Sequence, residues 1–150
     1  MSNGLHRLAD LLGSQQLLNK LGLAGTRRIK KRTRKGIGAD GQRFDDYSKG
    51  HARKRKRERL PTDVVNLHFL QYGGMLAQMD HEVNRTLSQV ELLFRGERAN
   101  RLAGYHNEQG AGTSQVKRVF MRLNDEDEAA MGGLVEQEIA DLIKLQRLGP

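Results

Sequence analysis

The chain has 150 residues, 37% of them apolar, 29% charged and only 5% aromatic, with no tryptophan, so it fits one domain of roughly 100–200 residues around a small core. It has no cysteine, which excludes disulfides and thiolate metal sites, and no apolar run near the roughly 20 residues that cross a bilayer. The net charge of +8 is lopsided: residues 24–60 hold 15 Lys/Arg against four acidic residues, and residues 61–150 hold nine against 13. That asymmetry suits contact with nucleic acid or with a charge-complementary protein.

Two short leucine-bearing helices are predicted at about 3–12 and 14–22. Leu5, Leu8 and Leu12 share one face of the first, Leu17, Leu18 and Leu21 one face of the second. Ser14 is the expected cap of the second helix, and Gly22 and Gly25 are expected to end it. This arm, residues 1–25, packs either on a neighbouring subunit or on its own domain, which is expected to span residues 26–150. The stretch is interrupted by Asp10, Gln15, Gln16, Asn19 and Lys20 and lacks the continuous apolar region of a signal peptide. The protein is therefore expected in the cytoplasm until it is assembled into something.

A basic helix at about 26–35, capped by Thr26 and closed by Gly36, carries Ile29 as its only aliphatic residue. A loop with turn chemistry at Asp40-Gly41 and apolar anchors Ile37, Phe44 and Tyr47 follows. A second basic helix, about 48–59, ends before Pro61. The segment 64–72 alternates like a strand, Gly73-Gly74 breaks it, and residues 74–83 read as a short helix. Residues 86–95 form the strongest predicted strand, with Ser88, Val90, Leu92 and Phe94 on one face. A helical turn at about 97–104, a polar glycine-rich loop at 105–115 and a third strand at about 116–123 come next.

The last helix is the best specified. Asn124 or Asp125 caps it, four acidic residues occupy its first turn, where the helix dipole favours anions, and Met131, Val135, Ile139, Leu142 and Ile143 form one stripe. The expected fold class is α+β: a small antiparallel β-sheet flanked by helices, with basic N-terminal helices and a long C-terminal helix packed on the sheet.

Catalytic chemistry finds little support. Residues 36–41 fit G-x-G-x-x-G, but a helix precedes the turn and no helix opens directly after it, so a tight loop explains the glycines better. No two histidines stand at i, i+4 and no H-E-x-x-H occurs, so a zinc site is not expected. His106 lies in a loop rich in hydrogen-bonding groups, yet no adjacent nucleophile signature accompanies it. The expectation is a non-enzyme with no catalytic residues, no metal and no cofactor. The candidate contact residues are Arg27, Arg28, Lys30, Lys31, Arg32, Arg34 and Lys35, then Arg53, Lys54, Arg55, Lys56 and Arg57, which surround both basic helices. Such density gives salt-sensitive, sequence-independent attraction to phosphates; a solvated surface or an acidic protein partner fits the charge equally well.

The order of these pieces resembles the phage virion-morphogenesis family, the Mu G-like tail-component and neck proteins that include tail-completion subunits. RIKKRTRKGIGADGQRFDDYS, residues 28–48, looks like the family's basic helix, turn, aromatic and Tyr-Ser, with Asp40, Gly41, Phe44, Tyr47 and Ser48 at the matching places. A second basic helix follows, as in the family. YHNEQGAG resembles a His-Asn-x-Gly loop with one extra residue before the glycine, and Gly73-Gly74 stands where a Thr-Gly pair is common. Arg118, Phe120, Leu123, Asn124, Glu126 and Asp127 match an Arg-x-Phe-x-x-Leu junction that opens the last helix. The likeness covers about residues 26–145.

The resemblance implies a structural virion protein of the head–tail junction: a homo-oligomeric ring of six subunits, contacting other neck, connector and tail proteins. Genomic double-stranded DNA would pass through its lumen, and no membrane would be involved. It would reside in the virion neck, after assembly in the host cytoplasm. The loops bearing Asp40, Phe44, Tyr47, His106, Asn107 and Gly110 are the expected ring or inter-layer contacts. The alternative from another class is a small basic nucleic-acid-binding protein.

Overall fold

A computed structural model describes residues 10–63, 65, 74–110 and 115–147. The fold is α+β, with basic helices early in the chain, a two-stranded antiparallel sheet and a long C-terminal helix. The elements are α1 (Gln15–Arg34), α2 (Lys49–Arg57), a 3₁₀ turn (Met75–Gln78), β1 (Met79–Asn84), β2 (Gln89–Phe94), α3 (Glu97–Gly104), a π-helical turn (Tyr105–Gln109) and α4 (Asp125–Arg147). The strand expected over 64–72 and most of the helix expected over 3–12 lie outside the described residues.

The described residues cluster into two compact units. One contains residues 10–26, 80–93 and 125–147; the other draws on 27–79 and 94–124.

Four elements differ from expectation. The second leucine-bearing helix and the first basic helix are one 20-residue helix, so Gly22 and Gly25 do not end it and Thr26 is a buried interior residue. Gly22 is kept by close packing: a Cβ there would stand 2.2 Å from His81 Cδ2 and 2.9 Å from Val90 Cγ1. Residues 79–84 are a strand rather than the end of a helix, because His81 and Val83 turn inward while Glu82 and Asn84 stay exposed. The loop expected from 105 begins instead with a helical turn that continues α3. In the segment expected as a third strand, 116–123, Val116 makes a single β-bridge and residues 117–123 join no described strand; several of its backbone groups are taken by side chains and loop backbone instead.

Other boundaries follow the local chemistry. Ser14 Oγ accepts from Leu17 N at 3.2 Å, capping α1. At the far end Gly36 N bonds Thr33 O and Ile37 N bonds Arg32 O, the paired closure of a Schellman motif, with Gly36 at φ +73°. Ser48 caps α2 through His51 N.

Among the described residues, 13 apolar side chains are buried, and Leu17 and Leu18 are the two that belong to the first unit. The α4 stripe is half-covered at Met131, Val135, Ile139 and Leu142, while Ile143 is 45% and Leu145 69% exposed. Lys20 on α1 pairs with Glu138 on α4. In the middle of α4, Gly132 and Gly133 are exposed with open space where a Cβ would go. Because nothing blocks a methyl there and glycine is a poor helix former, Gly132→Ala is expected to stabilise the chain by about 1 kcal/mol. Urea denaturation of the variant beside the parent measures this.

Candidate partner interface: cationic helix faces held by a polar clamp

The second unit holds the other 11 buried apolar residues, among them Ile29, Phe44, Met75, Leu76, Met79, Phe94 and Phe120. Phe120 is fully buried and meets Phe94 edge to face at 6.2 Å. Through this core runs the irregular segment 116–124, and its backbone is satisfied piece by piece. Arg118 N donates to His106 O at 2.7 Å, and Val119 O accepts from Ala39 N at 2.8 Å. Asn107 Oδ1 accepts from both Phe120 N and Met121 N at 2.9 Å, while its Nδ2 donates to Ala103 O at 2.8 Å. Arg32 Nη2 donates to Phe120 O at 3.1 Å and Arg122 O at 2.6 Å. Arg118 Nη2 reaches back to Asp45 O at 3.0 Å and Asp46 O at 3.3 Å. Irregular backbone can be buried only when its polar groups find partners, and here they do.

This clamp sets the end of α1, the 36–48 loop and the 105–110 turn against one another. Within the loop, Ile37 and Arg43 form an antiparallel bridge, and exposed Asp40 accepts from Gln42 N at 3.0 Å. Phe44 points into the core. Tyr47 lies between the loop and α2: its ring receives the Arg55 guanidinium at 4.7 Å and lies 5.0 Å from the His51 ring. Arg55 Nε also donates to Pro61 O at 2.9 Å, fixing the chain that leaves α2. Gly110 closes the π-helical turn at φ +85°, where a Cβ would strike Gln115 O.

The expected contact residues thus separate into two groups. Arg32 and Arg55 are buried and hold backbone carbonyls, and Phe44 and Asn107 also face inward. Arg28 and Lys30 are half-buried and engaged within the chain. The remaining cations do not ring their helices. Arg27, Lys31 and Lys35 lie one helical turn apart on an exposed row opposite Ile29 and Thr33, with Arg34 beside them. Lys49, Arg53 and Arg57 form a second exposed row on α2, with Lys56 next to it and Lys54 paired to Glu58 at 4.0 Å. Sequence reading missed that one arginine in the last turn of each basic helix is structural. The available signal was spacing: Arg32 stands three residues after Ile29, on the helix's only apolar side.

Two histidines sit in this unit with lowered pKa values. Burial, and then the charge of Arg118, pushes His106 down to about 4. His51 is lowered by burial and then by Arg55, Lys54 and Arg118, against an opposing pull from Glu58. Burial also lowers Arg118, opposed by Tyr47 and Asp45. With its folded pKa below the ordinary 6.5, His106 takes up a proton more readily in the unfolded chain. Its contribution is therefore complete above about pH 6.5 and is lost as pH falls toward 4. The loss is expected to be about 1–2 kcal/mol after solvent screening, and to shrink in His106→Gln. Urea midpoints at pH 7.5 and 5.0 test this.

Among the described residues there is no cluster of three metal-ligating side chains and no helix long and apolar enough to cross a membrane. Comparison of the chain with protein-family models, curated proteins and solved structures finds no match.

Proposed function

We propose that the protein is a structural subunit of the head–tail junction of a tailed phage, a neck or tail-completion protein that acts as a homo-oligomeric ring of six copies. One observation carries this reading. Three of the segments that carry the family resemblance, 28–48, 105–110 and 118–127, are linked by hydrogen bonds through Asn107, Arg118 and Ala39. Stretches up to 90 positions apart are thus held together in one unit, which supports reading them as one device. The exposed end of the α4 stripe, Ile143 and Leu145, fits a subunit that completes its burial against neighbours.

On this reading the ring joins the tail to the filled head and leaves a lumen for genomic DNA, and other neck, connector and tail proteins dock above and below. The chain performs no catalysis and resides in the virion, after assembly in the host cytoplasm. The decisive experiment adds the purified protein to lysates containing heads and tails made without it. Restored joining, with rings visible by electron microscopy, supports the proposal; a monomer at every concentration that joins nothing overturns it. The exposed cationic rows favour one rival, a monomeric nucleic-acid-binding protein, which predicts tight duplex binding lost steeply with salt and no effect on particle joining.

A further inference from the structure

The outer row of α2 is a strongly charged surface. Lys49, Arg53 and Arg57 are exposed, and none has an acidic partner among the described residues. They stand at i, i+4 and i+8, so the row is about 12 Å long. The chain carries a matching row of opposite sign on α4. Glu128, Gly132 and Glu136 also stand at i, i+4 and i+8, all exposed, with open space at the glycine. Neither carboxylate has a partner among the described residues.

We infer that α2 of one copy docks on α4 of the next, its Lys49–Arg53–Arg57 row lying along the neighbour's Glu128–Gly132–Glu136 row. Lys49 and Arg57 pair with the two glutamates, and Arg53 fills the gap over the glycine. The lengths agree, the signs are complementary, and rows of the same i±4 inclination can lie in each other's grooves. Because the two surfaces differ, the contact is heterologous and repeats from copy to copy until a ring closes. The inference rests on the ring reading above and names the surfaces that would build it.

The test uses the full-length chain at low ionic strength, with self-association followed by sedimentation velocity. Glu128→Lys/Glu136→Lys and Lys49→Glu/Arg57→Glu are each expected to weaken association on the order of a hundredfold or more, since like charges then face each other. Mixing the two variants restores assembly, because each reversed surface meets its new complement; that rescue also shows both variants folded. Gly132→Leu, which changes no charge, is expected to weaken association about tenfold by filling the gap.

Parent protein that associates equally well after either reversal overturns the contact and leaves the ring reading standing. Parent protein that stays monomeric overturns both. Loss of duplex DNA binding in Lys49→Glu/Arg57→Glu, with self-association unchanged, also overturns the contact and assigns the α2 row to nucleic acid.

Discussion

Asn107→Ala is expected to destabilise the protein by about 3 kcal/mol, because one side chain satisfies three backbone groups in a partly buried site. Its loss leaves Phe120 N, Met121 N and Ala103 O without partners beside the fully buried Phe120 ring. Among the described residues, no strand lies alongside 117–124 to take those donors. For a chain of this size the midpoint of thermal unfolding should drop by roughly 10 °C. Asn107→Asp separates the two halves of the clamp. It keeps an oxygen for the two donors, loses the bond to Ala103 O, and should fall between the parent and the alanine variant. Equal loss in both variants would mean that the donor side, not the bridged pair, holds the segment.

Gly22→Ala is expected to destabilise by about 2–3 kcal/mol, although alanine is the better helix former. The new methyl would overlap the His81 ring at Cδ2 and Cγ, 2.2 and 2.5 Å away, and would press on Val90. The ring cannot simply swing aside, since Cγ is its anchoring atom and His81 is fixed in β1. The same substitution at Gly132 has the opposite sign, because there the methyl meets open space. The close approach of α1 to the hairpin explains the difference. Removing the ring in His81→Ala should therefore relieve most of the penalty, leaving a coupling of about 1–2 kcal/mol in the double-mutant cycle. Chemical denaturation of the four proteins measures it; additive effects would show that the helix interior, not the hairpin contact, sets the cost.

The Asn107 result also bears on the proposed function. A clamp that only positions the basic helices should, when weakened, lower ring stability and joining together. Surface reversals on α2 and α4 should instead change assembly with the fold intact. The two kinds of variant thus distinguish a loss of scaffold from a loss of contact.

Elements governed by local rules were legible in the amino-acid sequence. The α4 start follows from its acidic first turn, α2 from Ser48 and the cations after it, the closure of α1 from Gly36, and the inward face of β2 from the alternation of Val90, Leu92 and Phe94. Long-range contacts decided the rest. Gly22 and Gly25 look like helix stops, because glycine propensity is a property of the isolated chain; at Gly22 the hairpin packed on α1 makes glycine the residue that fits. Residues 116–123 look like a strand by composition, yet Asn107, Arg32 and a loop amide take hydrogen bonds at Val119, Phe120, Met121 and Arg122. Charge was visible residue by residue, but its sorting into buried Arg32 and Arg55 and two exposed rows was not. Arg32 turns inward to carbonyls brought from up to 90 positions away, and only the tertiary structure brings them there.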